Sequence, residues 1–218
     1  MYSIETLNIF DHEDVAVANT FFRQKAETRH LSIFLPGLGY TSHMPVMYYP
    51  FLALLSRGAD VLRAEYNYVK LPDFMALPQE KRRRRAAADA LSIYASAIKQ
   101  RGYTTLTLVG KSIGTSAMGH LITSMPSLPT LQCLWLTPIL KSEDLLSQIK
   151  KVKHRAFFVI GTSDPYYDKE DLDDLLKATG GKSIVIEGAN HSLEIDGDAI
   201  KSLRALDRIM IGIEDFLG

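Results

Sequence analysis

The chain has 218 residues, 46% of them hydrophobic, with 25 basic side chains balanced by 25 acidic ones. Such a chain can bury the core of a single domain spanning 1–218, and its zero net charge argues against nucleic acid, an anionic membrane or a strongly charged partner. Cys133 is the single cysteine, which excludes an internal disulfide and any cysteine-rich metal site and fits a small buried hydrophobe in a reducing compartment.

The first residues, Met1-Tyr2-Ser3-Ile4-Glu5, carry neither a basic leader nor an uninterrupted apolar stretch, so they do not resemble a secretory signal. No run approaches the length needed to span a bilayer. A soluble, cytoplasmic protein is expected.

Tyr2 to Phe10 and Val15 to Gln24 are rich in β-branched and aromatic residues and flank the turn-like cluster Asp11-His12-Glu13-Asp14, the pattern of an antiparallel hairpin at a sheet edge. Leu31 to Leu35 is a short apolar run stopped by Pro36-Gly37-Leu38-Gly39, as expected for a strand buried on both faces. A helix is predicted over Val46 to Arg57, closed by Gly58, and a strand over Asp60 to Tyr66. Asn67 to Gln79 reads as irregular. Pro78 then opens a helix in which Ala87, Ala90, Leu91, Tyr94, Ala97 and Ile98 recur at helical spacing. The run Lys81-Arg82-Arg83-Arg84-Arg85 in its first turns reads as a solvated face, with a neighbouring acid expected to offset cations placed against the helix dipole.

Leu106, Leu108 and Val109 form a strand that runs into Gly110-Lys111-Ser112-Ile113-Gly114 and then into a helix beginning Thr115-Ser116-Ala117-Met118. In so sharp a strand-to-helix turn, a side chain at Gly110 or Gly114 would collide with its neighbours, and Ser112 at the apex is lifted above the end of the sheet. Two other readings compete. Serine is favoured at any helix N-cap. Gly110-Lys111-Ser112 also matches the end of a phosphate loop, but the first glycine of that motif would fall at Thr105, and the residues between are strand-like.

Strands follow at Leu131 to Thr137, Ala156 to Ile160 and Ser183 to Glu187, with helices at Ser142 to Lys150 and Lys169 to Ala178. The last helix carries Leu203, Leu206, Met210, Ile213 and Leu217 on one face. Regular alternation after the hairpin indicates an α/β fold, a mostly parallel twisted sheet with helices on both faces.

In such a sheet, reactive groups collect beyond the carboxyl ends of the strands. Ser112, Asp164 and His191 all lie in loops of that kind. A serine hydroxyl needs a base to take its proton, and an imidazole serves as that base when a carboxylate fixes its tautomer. His12, His30, His43, His120 and His154 are weaker choices, since only His191 follows both Asp164 and a strand. Asp168 reads as a helix-start residue, and Asp196 lies too near His191 in the chain to be its usual partner.

The order Ser112, Asp164, His191, with the turn Gly161-Thr162-Ser163-Asp164-Pro165 and the loop Gly188-Ala189-Asn190-His191-Ser192-Leu193, resembles the α/β-hydrolase superfamily over nearly the whole chain. In size the chain resembles dienelactone-hydrolase-like enzymes and small carboxylesterases, although the former use cysteine where this chain has Ser112. The resemblance implies an oxyanion hole formed by the backbone N–H groups of Leu38 and Ile113, with Pro36 standing where the superfamily has histidine. It implies a serine hydrolase of small or mid-sized esters, thioesters or amides, acting on a small-molecule substrate with no cofactor and no metal. Pro138 leads directly to Lys141-Ser142-Glu143, which leaves almost no room for a lid, so little or no cap is expected. Tyr40, His43, Met44, Ile139 and Tyr166 are candidate substrate contacts, with Tyr48, Tyr68, Phe74 and Tyr167 as further pocket or core residues. The alternative function is a binding module that keeps the fold without turnover.

Overall fold

The computed structural model describes residues 1–11, 14–126 and 130–218. His12 and Glu13 of the expected hairpin turn lie outside the described residues.

The described strands are β1 (Tyr2–Glu5), β2 (Asn19–Gln24), β3 (His30–Leu35), β4 (Asp60–Ala64), β5 (Thr105–Lys111), β6 (Thr130–Leu136), β7 (Arg155–Gly161) and β8 (Lys182–Ile186). They form one sheet in the order β1-β2-β4-β3-β5-β6-β7-β8. β2 is antiparallel to both β1 and β4, whereas every pair from β4 through β8 is parallel. The expected hairpin is present with short strands, Tyr2 facing Gln24 and Glu5 facing Phe21.

The helices are α1 (Pro45–Ser56), α2 (Pro72–Ala76), α3 (Gln79–Ala97), α4 (Ile113–Ser124), α5 (Glu143–Lys151), α6 (Lys169–Thr179) and α7 (Ala199–Leu217). Strand order explains how they divide between the faces. The chain steps from β3 to β4 in one direction and from β3's other neighbour, β5, onward to β8 in the opposite one, so right-handed crossovers put α1 and α3 to α6 on opposite sides. α1 packs on α7, and α3, α4, α5 and α6 pack in succession on the far face.

Alternation along the strands feeds two cores. Leu106 and Leu108 of β5, Cys133 and Trp135 of β6, and Phe158 and Ile160 of β7 pack under α3 to α5. Val109, Leu134, Leu136, Phe157 and Val159 point the other way, under α1 and α7. Cys133 is completely buried, and burial pushes its thiol well above the ordinary range.

Three expectations need correction. The stretch after β4 is not irregular throughout, because Tyr68–Lys70 makes a 3₁₀ turn and α2 follows. Its rings build core: Tyr68 stacks on Tyr66 at 4.3 Å and on Phe74 at 4.1 Å, and Tyr68 and Phe74 are buried. The inward face of α7 is Ala205, Ile209, Ile213 and Phe216, while Leu203 is 61% exposed. Leu206, Met210 and Leu217 are only half-buried at the edge of that contact. The basic run is also not uniformly solvated. Lys81 and Arg84 face water, with Arg84 paired to Glu80 at 3.0 Å, while half-buried Arg85 lies 3.6 Å from Asp11 and Arg83 reaches Ser142 at 3.4 Å. Glu80 and Asp11 are the acids that offset the run.

Among the described residues, no helix is long and apolar enough to cross a membrane.

Candidate active site

Ser112 lies between β5 and α4 with φ 54° and ψ −120°, outside the regions favoured by residues with a side chain. The turn is tight enough that its neighbours must be glycine. A Cβ on Gly114 would stand 2.0 Å from the Leu35 carbonyl oxygen, and one on Gly110 would stand 2.9 Å from the Gly114 oxygen. Overpacking a core costs about 1–3 kcal/mol and occasionally more. Here the obstacle is fixed backbone, so Gly114→Ala should lose roughly 3 kcal/mol or more. Urea unfolding should register that loss, and a midpoint equal to that of the wild type would contradict so tight a turn.

The loops after β5, β7 and β8 bring three side chains together. His191 Nε2 is 2.8 Å from Ser112 Oγ, and His191 Nδ1 is 2.7 Å from Asp164 Oδ2. A carboxylate only accepts, so the Nδ1 proton points to Asp164 and the Nε2 lone pair faces the serine hydroxyl. The Asp164 carboxyl is fully buried, and its Oδ1 accepts from the Tyr166 N–H at 2.9 Å. Asp164 is thereby held at both oxygens. The imidazole is one-third exposed at the mouth of the crevice, with the Tyr166 ring edge-on at 5.3 Å.

The loop that carries His191 is fixed by its own hydrogen bonds. Asn190 Oδ1 accepts from Ser192 N–H at 2.8 Å, Asn190 Nδ2 donates to Asp196 at 2.6 Å, and Ala189 bridges to Ile195. Gly161 allows β7 to meet this loop, since a Cβ there would stand 2.0 Å from the Ala189 oxygen.

The competing residues have other partners. Asp168 caps α6, accepting from Glu170 and Asp171 N–H at 3.0 and 3.1 Å. His30 contacts Thr107 at 2.8 Å, His43 pairs with Glu65 at 2.9 Å, and His154 Nδ1 meets the Val152 oxygen at 2.7 Å. His120 lines a cavity of about 250 Å³ between α3, α4 and α5. His12 lies outside the described residues.

Leu38 is half-buried in the loop after β3. That loop abuts the Ser112 turn, because a Cβ on Gly37 would lie 3.4 Å from Ser112 Cβ. Ile113 begins α4 directly after Ser112. Tyr40 is buried, accepting from the Val46 N–H at 3.1 Å, and Met44 caps α1 and packs against the α1–α7 core. His43 is well exposed, and Ile139 is buried. A groove of about 590 Å³ runs beside the His191 loop between α1 and α7, lined by Tyr40, Val46, Leu193 and Leu206 together with the acids Glu194, Asp196 and Asp198. The link from Thr137 to Ser142 carries no inserted segment.

Sequence reasoning did not single out Lys111, the residue before Ser112. It is 1% exposed, and burial pushes its ammonium down to about 7, an effect opposed by the charges of Asp164 and Glu194. The Tyr40 hydroxyl, raised to about 12, stays protonated beside it through neutral pH. An unfolded lysine keeps its proton up to its ordinary value of 10.5, so from about 7 to 10.5 the unfolded chain binds the extra proton and folding stability rises with pH. Relative to Lys111→Met, the wild type should gain roughly 2–5 kcal/mol across that interval, since a tenfold change in proton concentration is worth about 1.4 kcal/mol. Urea titrations at several pH values check this, and a pH-independent difference would mean that the ammonium is not desolvated.

Among the described residues, no group of three or more His, Cys, Asp or Glu side chains could hold a metal ion.

A family model described as an alpha/beta hydrolase domain matches residues 28–216, and the chain belongs to that family. Solved structures share the fold. One is ATU1826, a protein of unknown function from Agrobacterium tumefaciens, with TM-score 0.73 and 16% identity over 100% of this chain and 94% of that one. The Pyrococcus furiosus esterase Pf2001 gives TM-score 0.71 and 12% identity over 99% and 92%. XC6422 from Xanthomonas campestris, described as a member of the serine hydrolases without lid, gives TM-score 0.67 and 15% identity over 99% and 93%. No curated protein matches the chain.

Proposed function

We propose that the protein is a serine hydrolase that cleaves small or mid-sized esters, thioesters or amides through an acyl-enzyme. The observation that carries this reading is the pair of contacts at His191, 2.8 Å to Ser112 Oγ and 2.7 Å to Asp164 Oδ2. They supply a base within proton-transfer reach of a hydroxyl and a carboxylate that orients the base.

In the first step Ser112 Oγ attacks the substrate carbonyl as His191 Nε2 takes its proton, while Asp164 stabilises the imidazolium. The Leu38 and Ile113 N–H groups donate to the developing oxyanion, each worth roughly 3 kcal/mol of transition-state stabilisation. His191 then returns the proton to the leaving group as the carbonyl–leaving-group bond breaks. Water, deprotonated by His191, attacks the acyl-enzyme and releases Ser112 with the acid product. No cofactor or metal takes part.

The short link between β6 and α5 supports an open crevice, and Glu194, Asp196 and Asp198 in the lining of the groove beside the His191 loop, next to apolar Val46, Leu193 and Leu206, support an acyl or alcohol group that carries no negative charge. The reading comes to this chain also from the esterase Pf2001 and the lidless XC6422, whose folds it shares. A fluorophosphonate probe followed by peptide mass spectrometry tests it, together with a chain-length panel of aryl esters, thioesters and anilides. The phosphonyl group should appear on the peptide containing Ser112, and short acyl chains should be turned over faster than long ones. A folded protein that neither labels nor hydrolyses any member of the panel would leave the fold as a binding module.

A further inference from the structure

The proposed reaction makes no use of the buried residue next to the nucleophile. Lys111 Nζ donates to Thr137 Oγ1 at 2.8 Å and to the His191 backbone oxygen at 2.6 Å, and it lies 4.5 Å from the centroid of the Tyr40 ring. Protonated, the side chain has three N–H donors, which the two oxygens and the ring face occupy; neutral, it has two, which still reach both oxygens. If the position served packing alone, an unbranched apolar side chain would fill it without the cost of desolvating a charge.

The three partners of Lys111 come from three separate segments: the loop after β3, the link after β6 and the loop after β8. Thr137 is itself unusual, a β-branched residue at φ 43°. Such a conformation persists only where the surroundings fix it, and here the Thr137 N–H donates to the Val159 oxygen at 2.7 Å. Its hydroxyl is therefore presented to Lys111 from a pinned backbone. At the other end Lys111 grips the carbonyl of His191 itself. Because Lys111 is bonded directly to Ser112, this strut ties the backbone of the base to the backbone of the nucleophile without using either reacting side chain.

We infer that Lys111 is a positioning residue, whose hydrogen bonds to Thr137 Oγ1 and to the His191 carbonyl set the height of the His191 loop over Ser112. The inference rests on the reading of Ser112 as nucleophile and His191 as base. The strut explains how a one-third-exposed imidazole at the crevice mouth is kept within 2.8 Å of the hydroxyl.

The test combines steady-state kinetics on p-nitrophenyl acetate with ring ¹⁵N shifts of His191, which report its tautomer. The proteins compared are wild type, Lys111→Met, Thr137→Val and Thr137→Ser. Methionine keeps the length and burial of the side chain and removes its donors. Lys111→Met should lower kcat about 100-fold, the scale of a 1 Å misplacement, with KM changed less than about 3-fold. Its ring shifts should move from a single Nδ1–H tautomer to an averaged pair. Thr137→Val, which removes one acceptor, should show a smaller loss, and Thr137→Ser, which keeps it, should behave as wild type. A folded Lys111→Met protein with kcat within about 3-fold of wild type and unchanged ring shifts overturns the inference. If that variant does not fold, the threonine pair decides, and equal kcat and ring shifts in the two overturn it. A wild type that hydrolyses nothing, but whose ring shifts still respond to Lys111→Met, sinks the hydrolase reading and leaves the strut standing.

Discussion

Ser112→Ala should lower kcat for a short aryl ester by about 10⁶-fold and abolish fluorophosphonate labelling. The hydroxyl contacts His191 Nε2, at 2.8 Å, and stands at the apex of the turn after β5. On the proposed mechanism the imidazole then has no nucleophile to activate, and only the proposed oxyanion donors and substrate binding remain, worth about 10³–10⁴ over water. Alanine keeps the Cβ that serine already places at φ 54°, so the fold should be unaffected, and circular dichroism and thermal melting are the controls. A folded variant that retains a tenth of the activity, roughly 1.4 kcal/mol from wild type, would assign the nucleophile elsewhere.

Asp164→Asn should cost about 10⁴-fold in kcat with little change in KM. The amide is the same size as the carboxyl and fits the same buried position, but it can present an N–H to His191 Nδ1. The imidazole then carries its proton on Nε2, where it meets the serine hydroxyl as a donor and cannot act as a base. Oδ1 of Asp164 accepts from the Tyr166 N–H, which favours an orientation with the amide nitrogen towards His191. The ring ¹⁵N shifts of His191 should report the tautomer change directly. An Asp164→Asn protein with the wild-type tautomer and wild-type kcat would move the acid role away from this residue.

The parts of the site that sequence makes legible are those in which one steric or chemical demand dominates. Gly110 and Gly114 announce the turn because no other residue fits within 2–3 Å of a backbone carbonyl. Asp164 and His191 can be selected because each follows a strand, in an order with few competitors. The face of α7 is harder to read, since Leu203, Leu206 and Met210 form an apolar row beside the one that is buried. Periodicity cannot rank two adjacent rows when small Ala205 belongs to the inward one. The basic run reads as solvent-facing from composition, yet Arg85 is drawn inward towards Asp11, 74 positions away and visible only in three dimensions. Lys111 misleads most, because lysine is among the residues least often buried. Its signal lay in being the last residue of a strand covered on both faces, where even a long side chain has no route to water.

The backbone at Ser112 also sets stability against reactivity at one position. A side chain held at φ 54° and ψ −120° costs on the order of 1–3 kcal/mol, and glycine would adopt the same angles without that cost. The residue that best suits the fold at position 112 is therefore glycine, and the one that suits the proposed chemistry is serine. If Ser112 is the nucleophile proposed here, a screen for heat resistance alone would drift towards an inert protein at this position, and stabilising substitutions must be sought with Ser112 held fixed.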